Sequence, residues 1–116
     1  MLWLTNDEWA GLRHRRGMYL PDVRYATLVG FVCGLLSADD RQDAGREFQE
    51  WVSARFCDEE SSLVWWALIA HAVHPSLISA DIWSSPLDWQ EEICQSLLNI
   101  LQEYIQELRG RAASLD

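Results

Sequence analysis

Two histidines, three cysteines and several adjacent carboxylates are the residues of this chain whose types and spacing could do chemistry. His71 and His74 are three apart, a spacing that on a helix can bring two imidazoles to one metal ion. A metal site also needs a third and a fourth ligand, and none lies close in sequence. His71 falls inside an apolar run, where a hydrogen-bonded core histidine is the expected role. Cys33, Cys57 and Cys94 are odd in number, widely spaced and without a CxxC pair, so neither a disulfide framework nor a zinc knuckle is expected. Each has apolar neighbours and reads as a small hydrophobe. Nothing places a Cys beside a His with an oxyanion donor, as nucleophilic catalysis requires. Glu59–Glu60 and Glu91–Glu92 are paired carboxylates, but on solvated faces they have no reason for a perturbed pKa. The six glycines are isolated, which excludes a Gly-rich phosphate loop. The expectation is a protein without catalytic residues, cofactor or metal.

Charge points elsewhere. The chain has 18 Asp+Glu against nine Arg, no Lys, and a net charge of −9. Residues 1–24 are about neutral, whereas residues 25–116 hold five Arg against fifteen carboxylates, or −10. Such a surface repels nucleic-acid phosphates and attracts basic partners. Arg13-His14-Arg15-Arg16 is the one basic cluster. It suits a helix C-terminus and can pair with the acids of the same domain.

These residues must be positioned by helices, because the chain shows helical spacing and no strand alternation. Thr5-Asn6-Asp7-Glu8 is a capping box for a first helix to about Arg15, with Gly17 as its stop and Pro21 beyond. Asp22 caps a second helix through Leu36, in which Gly30 and Gly34 share a face that another helix could approach. A third runs from about Gln42 to Phe56 on Ala44, Phe48, Trp51, Val52 and Phe56. The fourth, Ser62 to about His74, is apolar nearly all round and belongs in the middle of a bundle or under a partner. Leu77, Ile78, Ile82 and Trp83 suggest a short helical turn pinned on the core. Ser85-Pro86 opens the last helix, which ends at Arg109 before Gly110 and leaves 111–116 as a frayed tail. The fold expected is an all-α, single-domain bundle of about five helices over residues 1–116.

Three segments together resemble a family. Arg16-Gly17-Met18-Tyr19-Leu20 is similar to an RPGMYLG signature near the start of a group of small bacterial helical proteins. Leu28-Val29-Gly30-Phe31-Val32-Cys33-Gly34 follows as a Leu-rich helix with a Gly, and Phe48 to Phe56 resembles their F-x-x-W-V-x-x-R-F helix. Ser62-Leu63-Val64-Trp65-Trp66 and the acidic last helix extend the likeness over most of the chain. Arg16 stands where that signature has Pro, and Pro21 where it has its second Gly. The resemblance implies an immunity protein of a toxin system. The gyrase-type ATPase fold carries a similar RPGMYIG, but this chain lacks the Asp-x-Gly-x-Gly and Gly-rich lid of that fold.

The functional expectation is a cytoplasmic immunity protein that occludes a basic toxin surface, for instance that of a nuclease, with an acidic face. Asp39, Asp40, Asp43 and Glu47 form one acidic corner, and Asp58, Glu59 and Glu60 an acidic turn. Trp83, beside Asp81, is the expected aromatic anchor. No apolar stretch is long enough to span a bilayer, and no secretory leader is expected. The alternative is a self-associating helical module, a homodimer motivated by the near-heptad stripe of the last helix and the all-round apolar fourth helix.

Overall fold

A computed structural model describes residues 4–38, 43–56, 63–77 and 79–115. They form an all-α fold: α1 (Asn6–His14), α2 (Arg16–Tyr19), α3 (Tyr25–Ala38), α4 (Ala44–Arg55), α5 (Trp65–Val73) and α6 (Leu87–Leu115), with a 3₁₀ turn, Ser79–Ser84, between α5 and α6.

The capping box forms as expected. Glu8 N donates to Thr5 Oγ1 at 3.1 Å, and Thr5 N donates to Glu8 Oε1 at 3.0 Å. Thr5→Ala should cost about 1 kcal/mol of stability, read as a shift in the urea midpoint.

Gly17 does not stop the first helix. The break is at Arg15, whose backbone leaves the helical region at φ −138°, ψ 40°. Gly17 lies in the one-turn α2 with ordinary negative φ, so no left-handed turn forms there. Met18 and Tyr19 are exposed, and Leu20 packs against the core. The glycine with a steric reason is Gly11. A Cβ there would stand 2.2 Å from Cε2 of Tyr19, so the ring can lie over α1 only because Gly11 has no side chain.

Asp22 closes the turn ahead of α3, its Oδ1 accepting from Arg24 N at 2.9 Å and Thr27 Oγ1 at 2.6 Å. Gly30 and Gly34 are not packing glycines. Both are exposed, and among the described residues nothing stands within 4 Å of a Cβ built on either.

α5 starts at Trp65 rather than Ser62, and its cap comes from another helix. Gln49 of α4 accepts from Trp65 N at 2.7 Å and donates to Leu63 O at 3.2 Å. A side chain sixteen residues away thus satisfies one of the helix's free N–H groups.

Ser85 does not cap α6 either. Its hydroxyl donates back to Ile82 O at 2.8 Å, and Pro86 O accepts the first helical bond from Gln90 N at 2.9 Å. α6 then runs through Gly110 to Leu115, past the expected stop. Its 29 residues span about 43 Å.

The core gathers on α6, which packs against α1, α3 and α5. Ile93, Cys94, Leu97, Leu98, Leu101, Tyr104 and Ile105 are all buried, a face wider than a heptad seam. The stripe that suggested a homodimer is therefore covered within the chain. Phe48 joins α4 to this core through ring contacts with Trp65 (5.2 Å) and Tyr104 (5.0 Å). Cys94 is buried, and burial pushes its thiol up to about 11, with Glu91 adding to the shift and Arg16 opposing it. That thiol stays protonated and inert at neutral pH.

Candidate partner-binding surface

Trp83 is the expected site residue whose surroundings the structure defines most fully. It sits on the 3₁₀ turn, 41% exposed, with its indole tilted against the rings of Trp66 (centroids 4.8 Å apart) and Tyr25 (5.9 Å). Tyr25 is itself buried and donates its hydroxyl to Trp66 O at 2.7 Å. A half-exposed indole on a braced aromatic floor is the geometry of a contact anchor, because little side-chain entropy remains to be lost on binding.

Gln90 fixes the position of this turn. Its buried amide accepts from Tyr25 N at 3.0 Å and donates to Ser85 O at 2.8 Å, with a longer bond to Trp83 O at 3.5 Å. One side chain therefore ties the start of α3, the end of the 3₁₀ turn and the first turns of α6.

Arg16 braces the neighbouring segment. Only 3% exposed, it donates to Leu12 O at 3.2 Å and Val23 O at 3.0 Å, and forms an ion pair with Glu91. Of the basic cluster, Arg16 pairs with an acid of its own domain, and does so from the interior. Arg13 instead reaches Asn99 Oδ1 at 2.7 Å and Gln102 Oε1 at 2.6 Å.

The acidic expectations divide. Asp43 and Glu47 are exposed at the start of α4, one turn apart, and Asp43 pairs with Arg46 at 3.1 Å. They lie on a different element from Trp83, which packs against residues of α3 and α5. Asp39, Asp40, Asp58, Glu59 and Glu60 lie outside the described residues. Glu103 and Glu107 are engaged on α6, by Arg55 at 2.7 Å and by Trp51 Nε1 at 2.7 Å. Asp81 and Asp88 are exposed on either side of Trp83 in sequence.

Sequence reasoning passed over Met18, Val23 and Leu87. All three are exposed, as is Tyr19, and with Trp83 they make up most of the large apolar side chains left outside among the described residues. Leu87 had a visible signal, since it falls off the Trp89–Ile93–Leu97 stripe. Met18 had none, since its neighbour Arg16 is the residue of that segment that is buried.

No family model matches the chain, and no curated protein and no solved structure is found similar to it.

The histidines serve separate roles. His71 Nδ1 donates to Leu77 O at 3.0 Å. His74 stacks on Trp89 with centroids 4.2 Å apart and has Nε2 3.2 Å from Glu92 Oε2. Among the described residues no group of three or more His, Cys, Asp and Glu is placed to hold a metal ion, and no helix is long and apolar enough to cross a membrane.

Proposed function

We propose that this chain is a non-catalytic binding protein, an immunity protein of the bacterial cytoplasm that neutralises a cognate basic toxin by covering part of its surface. The observation that carries the reading is Trp83, held half-exposed on Tyr25 and Trp66 in a chain of net charge −9. The charge draws in a basic partner and speeds encounter, and the braced indole lengthens residence. The likeness of Arg16–Leu20 and Phe48–Phe56 to the immunity-type signatures agrees with this reading. The self-associating alternative drew in part on the α6 stripe, most of which packs against elements of the same chain.

The test is co-expression with the product of the adjacent upstream gene in the native arrangement. A 1:1 complex that weakens with salt and relieves growth arrest is the expected result. A toxic neighbour that neither binds nor is relieved would end the immunity reading.

A further inference from the structure

We infer that Met18, Val23, Trp83 and Leu87 form one docking face, and that it receives an apolar side chain from a basic protein partner; this deepens the binding reading above. The four residues come from three segments, but the same internal contacts bring them together. A Cβ on Gly17 would touch Val23 Cγ1 at 3.5 Å, which puts Val23 beside the turn that carries Met18. Arg16 and Cys94 both donate to Val23 O, at 3.0 Å and 4.0 Å, so Val23 lies over the α6 row that includes Glu91 and Cys94. Leu87 begins that same row one turn before Glu91. Trp83 is tied to it through Gln90.

The face is apolar and exposed at once. Met18 is 79% exposed, Leu87 61% and Val23 45%. Isolated exposed hydrophobes are ordinary, whereas a group of them on a rigid base marks a contact surface. The base here is rigid: buried Arg16 under one half and buried Gln90 under the other.

Charge selects the occupant. Asp81 and Asp88 are exposed and flank the Trp83–Leu87 stretch in sequence, and the chain has no Arg or Lys between Arg55 and Arg109. On the other half Arg16 is committed to Glu91, Arg24 stands beside Asp22 and Arg15 is exposed, so the acidic character belongs to the Trp83–Leu87 half. A partner with Arg or Lys around an apolar residue complements these two carboxylates. Asp43 and Glu47 on α4 then act from a distance, raising the encounter rate rather than forming contacts.

The test uses the full chain labelled with ¹⁵N and two synthetic twelve-residue helical peptides, one of Leu and Arg, the other of Leu and Glu. The Leu/Arg peptide is expected to shift the Trp83 indole N–H and the backbone N–H of Val23 and Leu87. The pair of substitutions Met18→Ser and Leu87→Ser, both on exposed side chains, should weaken it about tenfold. Asp43→Asn with Glu47→Gln should leave the shifted residues the same and weaken binding only at low salt. Three outcomes overturn the inference: shifts centred on α4, equal binding of the Leu/Glu peptide, or binding indifferent to the Met18 and Leu87 changes. A fourth is a peptide-free dimer that Leu87→Ser returns to monomer, which would make a second copy the occupant. Growth rescue in the co-expression experiment is read without these peptides, so failure there and failure here are separable.

Discussion

Arg16→Met should lower folding stability by about 3 kcal/mol, measured by urea unfolding. Methionine keeps much of the apolar stem and removes every donor. Leu12 O and Val23 O then lose their shared guanidinium, and Glu91 loses its ion pair. Loss of one partner of a buried pair costs most when the remaining charge is trapped. Glu91 is 48% exposed and can be hydrated again, which keeps the effect near the lower end of that range. An unchanged midpoint would mean that the guanidinium contributes nothing net and that the α2 turn is held by its backbone.

The same pair sets a pH dependence. Burial pushes the Glu91 carboxyl up, but hydrogen bonds from Arg16 and Gln95 and the charge of Arg16 outweigh it, so the group lies below its ordinary 4.5. A carboxyl with a depressed folded pKa contributes stability that is present above its unfolded value. That contribution is lost as pH falls through the folded value. The protein should therefore lose stability on acidification below about pH 4.5, and Glu91→Gln should flatten this part of the profile. Coincident acid profiles for the two proteins would remove Glu91 from the account.

Gln90→Leu should have an effect of similar size, about 3 kcal/mol, because it strands buried groups on two sides. Tyr25 N loses its acceptor and Ser85 O its donor, and both bonds are buried. Leucine has about the right volume, so the loss reports hydrogen bonding rather than a cavity. The change also reaches the candidate surface, since Gln90 joins the 3₁₀ turn to α3 and α6. The Trp83 indole resonance should move or broaden in the variant without any ligand. A stable variant with an unshifted indole would show that the aromatic packing on Tyr25 and Trp66 alone seats Trp83.

The two substitutions separate what the bundle needs from what the surface needs. Met18 and Leu87 are exposed, and their removal should leave the fold intact while altering contact. Arg16 and Gln90 are buried, and their removal should alter contact only by moving its base.

What could be read along the chain was whatever depends on residues a few positions apart. The Thr5/Glu8 capping box, the Phe48–Val52 stripe of α4, the turn carrying Ile82 and the long amphipathic α6 are all local patterns. A helix is closed by hydrogen bonds four residues apart, so nearby sequence specifies it. Charge is additive and is legible from composition alone. The ends of elements were read less well. Gly17 and Gly110 looked like stops, yet both are accommodated within helices, and α5 starts where Gln49 of another helix supplies the cap. A propensity of about 1 kcal/mol for a single Gly is readily outweighed by packing of the rest of the helix.

The candidate surface was decided by tertiary structure. Trp83 was identifiable as an apolar residue in an irregular segment beside an acid, but its floor of Tyr25 and Trp66 comes from residues 58 and 17 positions away. Met18 and Val23 stay at the surface while Arg16 between the helices takes an interior position, in pairing with Glu91 seventy-five residues on. Local sequence determined the helices, their apolar faces and the net charge, because those follow from short-range hydrogen bonding, periodicity and addition. Which apolar residues stay outside was settled only when α6 was packed, because burial is competed for by the whole chain and the interior has room for only some of them.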